Sequence, residues 1–475
     1  MAFRYFCARF AGMRSVARWL LGYDRLWVHL IFKMRSMRKK MLSMQKFVVF
    51  CTAFAFLLLL SVFSKPVSII PSRLPTSPMS TMQMCGSRWK RAQQDYASYH
   101  KRGTDVLWSD ANNSYGVALY ACVDSPNAHD DCGGIGDRIV GMVSTYLFAV
   151  ATNRLFYVDW LAATVIFSPV TFNWVLNEGA FPPNMVTHVD RRNCGFYWGR
   201  GPCFVSPSFY DDFRIISFRI NRGVVHDIFL NPEYSEWREL LEPMGLTAET
   251  AFACAFHSLF TPTQQVKHLV KPSTQVVASR STVPFGLHFR FGESGLFESG
   301  GTFFDPSFDF RKESMIARVD KSIVSLRTLH FMTAHKVGCR LFPSFQAVWV
   351  VLSDSLEFRH AVMAFNATLS QRGGYVSWRR RSCDHVKIVI PDIKPSHISL
   401  FEYSSHNISL KRSMNDQLID NAAEWWLLSQ CHVFVLDGFS GFSRAAYAVS
   451  FGIGVHPHGR IYRSILELGH IYSGI

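Results

Sequence analysis

The sequence predicts an α/β fold of two Rossmann-type lobes with a cleft between them, preceded by a single N-terminal transmembrane helix and a stem. Three observations carry this expectation: a strand-then-helix rhythm through the second half of the chain, a Gly-rich turn that opens an apolar helix after residue 132, and an uncharged run behind a basic N-terminal arm. At 475 residues there is room for the appendage and about two domains. Aromatic residues are abundant and only 18% of residues are charged, which excludes a disordered chain.

The net charge of +15 suggests nucleic-acid binding until it is apportioned. Residues 1–46 hold 11 Lys or Arg against one acid, Asp24, so this arm carries +10 and the remainder only +5. The body therefore offers little basis for gripping a polyanion, and no nucleic-acid partner is expected. The arm runs into Phe47 to Phe63 (FVVFCTAFAFLLLLSVF), 17 residues without a charge. That length spans a thin bilayer, and the flanking Lys33 to Lys46 place the N-terminus in the cytosol. The expectation is a type II signal-anchor in the Golgi membrane with a luminal body. A mitochondrial presequence is the alternative, because the first 20 residues are Arg-rich and free of acids. Residues 64–88, with Pro66, Pro71, Pro75 and Pro78, read as the stem. Nine cysteines follow the span without paired CxxC units, which argues for several disulfides and one odd thiol rather than a zinc site. Sequons at Asn112, Asn366 and Asn407 fit the same oxidising lumen.

The first lobe, 89–282, opens its patterned part with CGGIGDRIVGMVSTYLFAVATNRLFYVDW, Cys132 to Trp160. Gly133, Gly134 and Gly136 form a tight loop, Asp137 sits where a helix N-terminus favours an acid, and Ile139, Val140, Val143, Tyr146, Leu147 and Val150 recur at helical spacing. A strand over Arg154 to Trp160 follows, and a helix is expected near Tyr234 to Leu241. The second lobe, 283–475, begins with the strand in VPFGLHFRFGE. Next come the strand Gln346 to Ser353, a helical stretch from Leu356 to Leu369 and the strand His385 to Ile390. A helix from Asp416 to Cys431, the strand His432 to Leu436, a Gly/Ser loop and a helix from Ser443 to Phe451 complete the pattern. Such alternation argues for a parallel sheet.

Four short signals along this frame carry chemistry. In open α/β sheets the carboxyl ends of strands face the ligand crevice, and an Arg there offers a planar fork to a phosphate. Period-two alternation puts His288 and Arg290 on one face of their strand and Phe289 on the other. The plainer reading of that tripeptide alone is one solvated Arg and one core His. Gly133 to Arg138 offers backbone N–H groups, or Arg138 itself, to an anion, although the pattern departs from a P-loop and from GxGxxG; it also reads as a helix-packing turn. Asp354, flanked by Ser353 and Ser355, ends the next strand and reads equally as a ribose or purine contact or as a helix N-cap. The fourth signal, Asp437 to Arg444 (DGFSGFSR), lets backbone approach a ligand at the positive end of a helix, where diphosphate is the natural guest.

Taken in order, GGIGDR with its helix and NRLFYVDW, then HFRFG, VVLSDS and GFSRAA resemble the fucosyltransferase superfamily. That superfamily includes the core α-1,6-fucosyltransferases, the rhizobial chitooligosaccharide enzymes, and the plant cell-wall and protein O-fucosyltransferases. The resemblance runs in sparse patches over residues 130–452. It implies a GT-B-like fold, GDP-fucose as donor, inversion at the anomeric carbon, no cofactor and no required metal. Arg290 of the His-x-Arg pair is implied to hold the β-phosphate and assist departure of GDP. Asp354 matches an acid that contacts guanosine, and Ser440, Gly441, Phe442 and Ser443, with Arg444 after them, match a diphosphate loop. Glu298 falls eight residues beyond Arg290, at the position that the resemblance gives to the base in the core α-1,6 enzymes, and Glu293 is the other candidate carboxylate. Phe291 stands where those enzymes have a second Arg and Ser294 where they have a Lys, so the α-1,6 linkage is not implied.

Transfer from a nucleotide sugar needs charge stabilisation on the departing diphosphate and a base near the acceptor hydroxyl, which these residue types supply. The chain also lacks Asp-x-Asp and HExxH, motifs of metal-dependent chemistry. The expected function is a GDP-fucose-dependent glycosyltransferase acting on a glycan or glycoprotein, with the membrane as a further partner and a homodimer left open. A non-catalytic glycan-binding relative of the same fold and a mitochondrial fucosyltransferase are the alternatives.

Overall fold

The computed structural model describes residues 84–107, 115–122, 133–176, 181, 185–190, 204–220, 225, 228–229, 231–279, 281–289, 330–331, 333–354, 358–360, 362–363, 386–393, 414–436, 440–455 and 461–462. All of them lie in one compact unit, Pro75–Ile475. The basic arm, the apolar run 47–63 and the three sequons fall outside the described residues. Among the described residues no helix is long and apolar enough to cross a membrane.

The first half opens with helix α1 (Gly86–Leu107), which starts inside the stretch that reads as stem. Its buried residues Trp89, Gln93, Tyr96, His100 and Gly103 recur every three to four positions, so one stripe faces the core. Cys85, just before it, is disulfide-bonded to Cys254. Strand β1 (Val117–Ala121), helix α2 (Ile135–Ala151) and strand β2 (Leu155–Asp159) form a parallel unit. After helix α3 (Ala163–Ile166) and β3 (Phe167–Pro169) come β4 (Val186–Asp190) and β5 (Ile215–Arg219). The sheet runs β2-β1-β5-β4, parallel throughout. Helices α4 (Ser235–Leu241) and α5 (Ala251–Leu259) precede β6 (Phe260–Pro262), which pairs antiparallel with β3, and helix α6 (Gln264–Val277) closes this half.

The second half contains β7 (Thr282–Phe289), β8 (Gln346–Ser353), β9 (Val386–Val389), helix α7 (Met414–Ser429), β10 (Val433–Val435), helix α8 (Gly441–Ser450), β11 (Ile453–Val455) and β12 (Ile461–Tyr462). The sheet order is β12-β11-β10-β7-β8-β9, parallel except for β12. Strand β8 is buried along nearly its whole length, which is why it reads as an unbroken apolar run. Pro284 sits inside a central strand, where the missing N–H is normally a defect. It is tolerated because pairing with β10 begins one residue later, at Phe285↔Val433.

The expected α/β class with parallel sheets is therefore present. The strands expected over Arg154–Trp160, Gln346–Ser353, His385–Ile390 and His432–Leu436 are β2, β8, β9 and β10. The two sheets share a core: α8 packs on α2 and α5, α7 packs on α6, and Trp425 of α7 meets Phe256 and Phe167 edge-on or tilted. One apolar cluster accordingly holds Ile139 and Phe256 from the first half together with Val348, Trp425 and Tyr447 from the second. Of the cysteines among the described residues, Cys85, Cys122, Cys254 and Cys339 are in disulfides and Cys431 is a buried free thiol.

Candidate functional site

Strand order locates a crevice. From β7 the chain proceeds outward to β8 and β9, then returns to place β10 on the other side of β7. The carboxyl ends of β7 and β10 thus flank a topological switch point, the place where open α/β sheets take ligands. His288, at the β7 end, lies against the Phe442 ring of α8, with centroids 4.9 Å apart and planes 29° apart. Phe289 points the other way, into a cluster with Phe331 and Phe358. The alternation expected for this strand is observed at these two residues. Arg290, Glu293 and Glu298 lie outside the described residues, as does Ser355.

On the β10 side, residues 437–439 are likewise outside the description, and Ser440 then caps α8 in an extended conformation. Its hydroxyl is buried and has no hydrogen-bond partner among the described residues. Ser443 Oγ donates to Ser440 O at 3.3 Å, which tightens the first turn. Arg444 follows on that turn; its Nε is buried without a partner, and its guanidinium makes no hydrogen bond or ion pair among the described residues. An unsatisfied hydroxyl, a cation unpaired among the described residues and the N–H groups that a helix start leaves without intrahelical partners all favour an anion.

The Gly-rich unit of the first half reaches the same place. Helix α2 begins beside the start of α8, so closely that a Cβ placed on Gly136 would lie 2.4 Å from Gly441 O. A Cβ on Gly441 would lie 2.5 Å from Asp137 Oδ1. Asp137 Oδ2 accepts from Gly134 N at 3.2 Å and so caps its own helix, and Gly133 adopts φ of 77°. Gly136 and Asp137 therefore meet Gly441 and Phe442 at one junction, with Gly133 and Gly134 in the turn that leads into it. Arg138 is turned inward: it is buried, stacks 4.9 Å over Trp160, and donates to Gly133 O at 3.1 Å and Cys122 Sγ at 2.9 Å. It shapes the loop from beneath.

The last sequence signal, Asp354, lies one strand over. Ser353 is in register with Phe289, so Asp354 leaves β8 next to the end of β7. Below it is a buried set that sequence reasoning missed: Arg359, Asp420, Asn421 and Glu424. Burial pushes the Glu424 carboxyl up to about 7; Arg359 opposes the rise, while Asp420 and Asp354 add to it. Acids every four residues at 416, 420 and 424 of the helix are the signal that marks this face. Among the described residues no cluster of His, Cys, Asp or Glu is arranged to hold a metal ion.

No family model matches the sequence, and no curated protein matches it. Among solved structures, the chain superposes on a single-residue mutant of FUT1 from Arabidopsis thaliana in complex with GDP, with a TM-score of 0.50 and 14% identity over 80% of each chain. The chain shares the fold of that protein. The fucosyltransferase NodZ from Bradyrhizobium aligns at a TM-score of 0.37 and 15% identity, covering 73% of this chain and 97% of NodZ. The α/β architecture with two parallel sheets that the resemblance implies agrees with this fold.

Proposed function

We propose that the protein is an inverting glycosyltransferase that moves L-fucose from GDP-fucose to a hydroxyl of a glycan or glycoprotein. The observation that carries this reading is the start of α8, where the Ser440 hydroxyl and Arg444, both unpartnered among the described residues, lie at the switch point of a fold shared with a protein solved in complex with GDP. The diphosphate is taken there by α8 backbone N–H groups, Ser440 and Arg444. Arg290, one residue beyond β7, stabilises the charge that develops on the β-phosphate. Glu298 or Glu293 removes the proton from the acceptor hydroxyl, whose oxygen attacks the anomeric carbon. The bond from that carbon to the β-phosphate oxygen then breaks, GDP leaves with its electron pair, and the configuration inverts. Asp354 receives the guanosine. No metal is required in this scheme, so transfer is expected to survive chelation.

The deciding experiment is a donor screen on the full chain with GDP-fucose, GDP-mannose and UDP-galactose, scored by nucleotide release. GDP release from GDP-fucose that falls at least tenfold in Arg290→Ala and Arg444→Ala supports the reading; no release from any donor and no GDP binding overturns it. Binding of GDP without turnover would instead favour the non-catalytic relative. We also place the body in the Golgi lumen behind a type II anchor, a reading favoured by four disulfide-bonded cysteines among the described residues. Native protein without endoglycosidase-sensitive mass, recovered with mitochondria, would refute that location.

A further inference from the structure

Beneath Asp354 lies a buried charge network that the transfer chemistry does not use. Arg359 donates through Nε to Ser353 O at 2.6 Å and through Nη1 to Ile393 O at 2.8 Å, and Nη1 pairs with Glu424 Oε1 at 2.5 Å. One guanidinium therefore ties together the end of β8, the segment after β9 and helix α7. Arg359 is 2% exposed and Glu424 6%. Asn421, one turn before Glu424 on α7, is also buried, and its Nδ2 has no partner.

Such a network is a poor way to gain stability, because desolvating an ion pair cancels most of its attraction and an apolar set of equal volume does as well. What a planar guanidinium provides is geometry: its donors fix the directions of several acceptors at once, which a Lys ammonium does not. Here one of those acceptors is the carbonyl of the residue immediately before Asp354. Holding Ser353 O fixes the strand end from which the Asp354 carboxylate projects. Among the described residues none of the Arg359 hydrogen bonds or ion pairs reaches the α8 start, where the diphosphate chemistry is placed.

We infer that Arg359 is a positioning residue for the nucleoside of a nucleotide-sugar donor, holding the Ser353–Asp354 strand end, with Glu424 as its anchor. The inference rests on the donor-site reading above and deepens it. It separates nucleoside binding from turnover: loosening the strut costs donor affinity and leaves the departing diphosphate untouched.

The test uses the full chain, with GDP affinity by calorimetry and the KM and kcat for GDP-fucose measured in Arg359→Lys and Glu424→Gln. Arg359→Lys is expected to weaken GDP about tenfold and raise the donor KM to match, with kcat within about twofold. Glu424→Gln, isosteric and uncharged, is expected to weaken GDP about threefold, and it decides the matter if Arg359→Lys fails to fold. Val270→Ala, in the α6 core, supplies a matched loss of melting temperature with unchanged GDP affinity. If the strut variants lose stability as that control does but keep wild-type GDP affinity and KM, or if kcat falls instead of KM rising, the inference fails. Absence of GDP binding by the wild-type chain would sink the donor-site reading instead, a distinct outcome.

Discussion

Replacing Gly136 by Ala tests the junction of the two halves where the donor is placed. A Cβ there would lie 2.4 Å from Gly441 O and 2.8 Å from Phe442 Cα, against an ordinary van der Waals contact that begins at 3.4 Å. The obstacle is backbone on both sides, so no side chain can swing away; α2 or the first turn of α8 must retreat by about 1 Å. Overpacking of this kind costs about 1–3 kcal/mol of stability. A displacement of about 1 Å at a site of charge development can cost ~100-fold in rate. Gly136→Ala is therefore expected to lose between ~10-fold and ~100-fold in GDP affinity and turnover while remaining folded. Gly338→Ala is the control: a Cβ there meets Phe285 Cζ at 3.4 Å, an easy fit inside a helix, and exchanging Gly for Ala should raise stability by up to ~1 kcal/mol. Melting temperatures and GDP titrations on the wild type and both variants suffice. Wild-type GDP affinity in Gly136→Ala would refute the placement of the diphosphate at the start of α8.

Further outcomes follow from the buried ionisable groups and the cross-links. His257 and His100 are each lowered to about 4, chiefly by burial, so protonation opposes folding; the stability they contribute is complete above about pH 6.5 and is lost as pH falls toward 4, and thermal melts of His257→Gln should show a shallower acid slope. Glu424, raised to about 7, has the opposite sign: its contribution is complete below about pH 4.5 and is lost as pH rises through 7, so Glu424→Gln should flatten the decline between those two values. Cys431 is buried with its thiol pushed up by desolvation, so mass spectrometry should find it unlabelled by maleimide in the native protein and labelled only after denaturation. The Cys85–Cys254 bridge closes a separation of 169 residues, and its removal by a double Ser substitution should cost up to about 5 kcal/mol in denaturant unfolding.

Legibility in the sequence followed the kind of surface each element presents. Strands β7, β8 and β10 and helix α8 were readable because their apolar runs are bounded by turn residues and buried as central parallel elements. Helix α1 was not, since its buried stripe contains Gln93, His100 and Gly103, which hydropathy counts as polar. Yet Gln93 Oε1 accepts from Tyr146 Oη and His100 bonds to Phe156 O, so both have polar partners within the core. The spacing 89, 93, 96, 100, 103 was the available signal. Strands β1 and β5 were not read, because burial of nearly every residue leaves them no polar alternation. At the site, His288, Asp354, the Gly-rich turn and the loop before α8 were legible as strand ends and helix starts. Their meeting at Gly136 and Gly441 was not, because a contact between residues 305 positions apart leaves no local trace. Arg359 escaped for a related reason, as its partners Ser353, Ile393 and Glu424 come from three separate segments.

Helix α8 is held at both ends by the first half of the chain: Asp137 and Gly136 lie against its start, and His257 Nε2 bonds to Val449 O near its finish at 3.1 Å. For a polypeptide emerging from the ribosome, this makes the first sheet a structure that waits. Residues beyond 440 must be synthesised before the start of α2 and the end of α5 acquire their covering, so a nascent chain exposes those apolar surfaces for most of its translation. Truncations that spare every residue of the first sheet but remove α8 are then expected to be recovered as chaperone-bound or aggregated material.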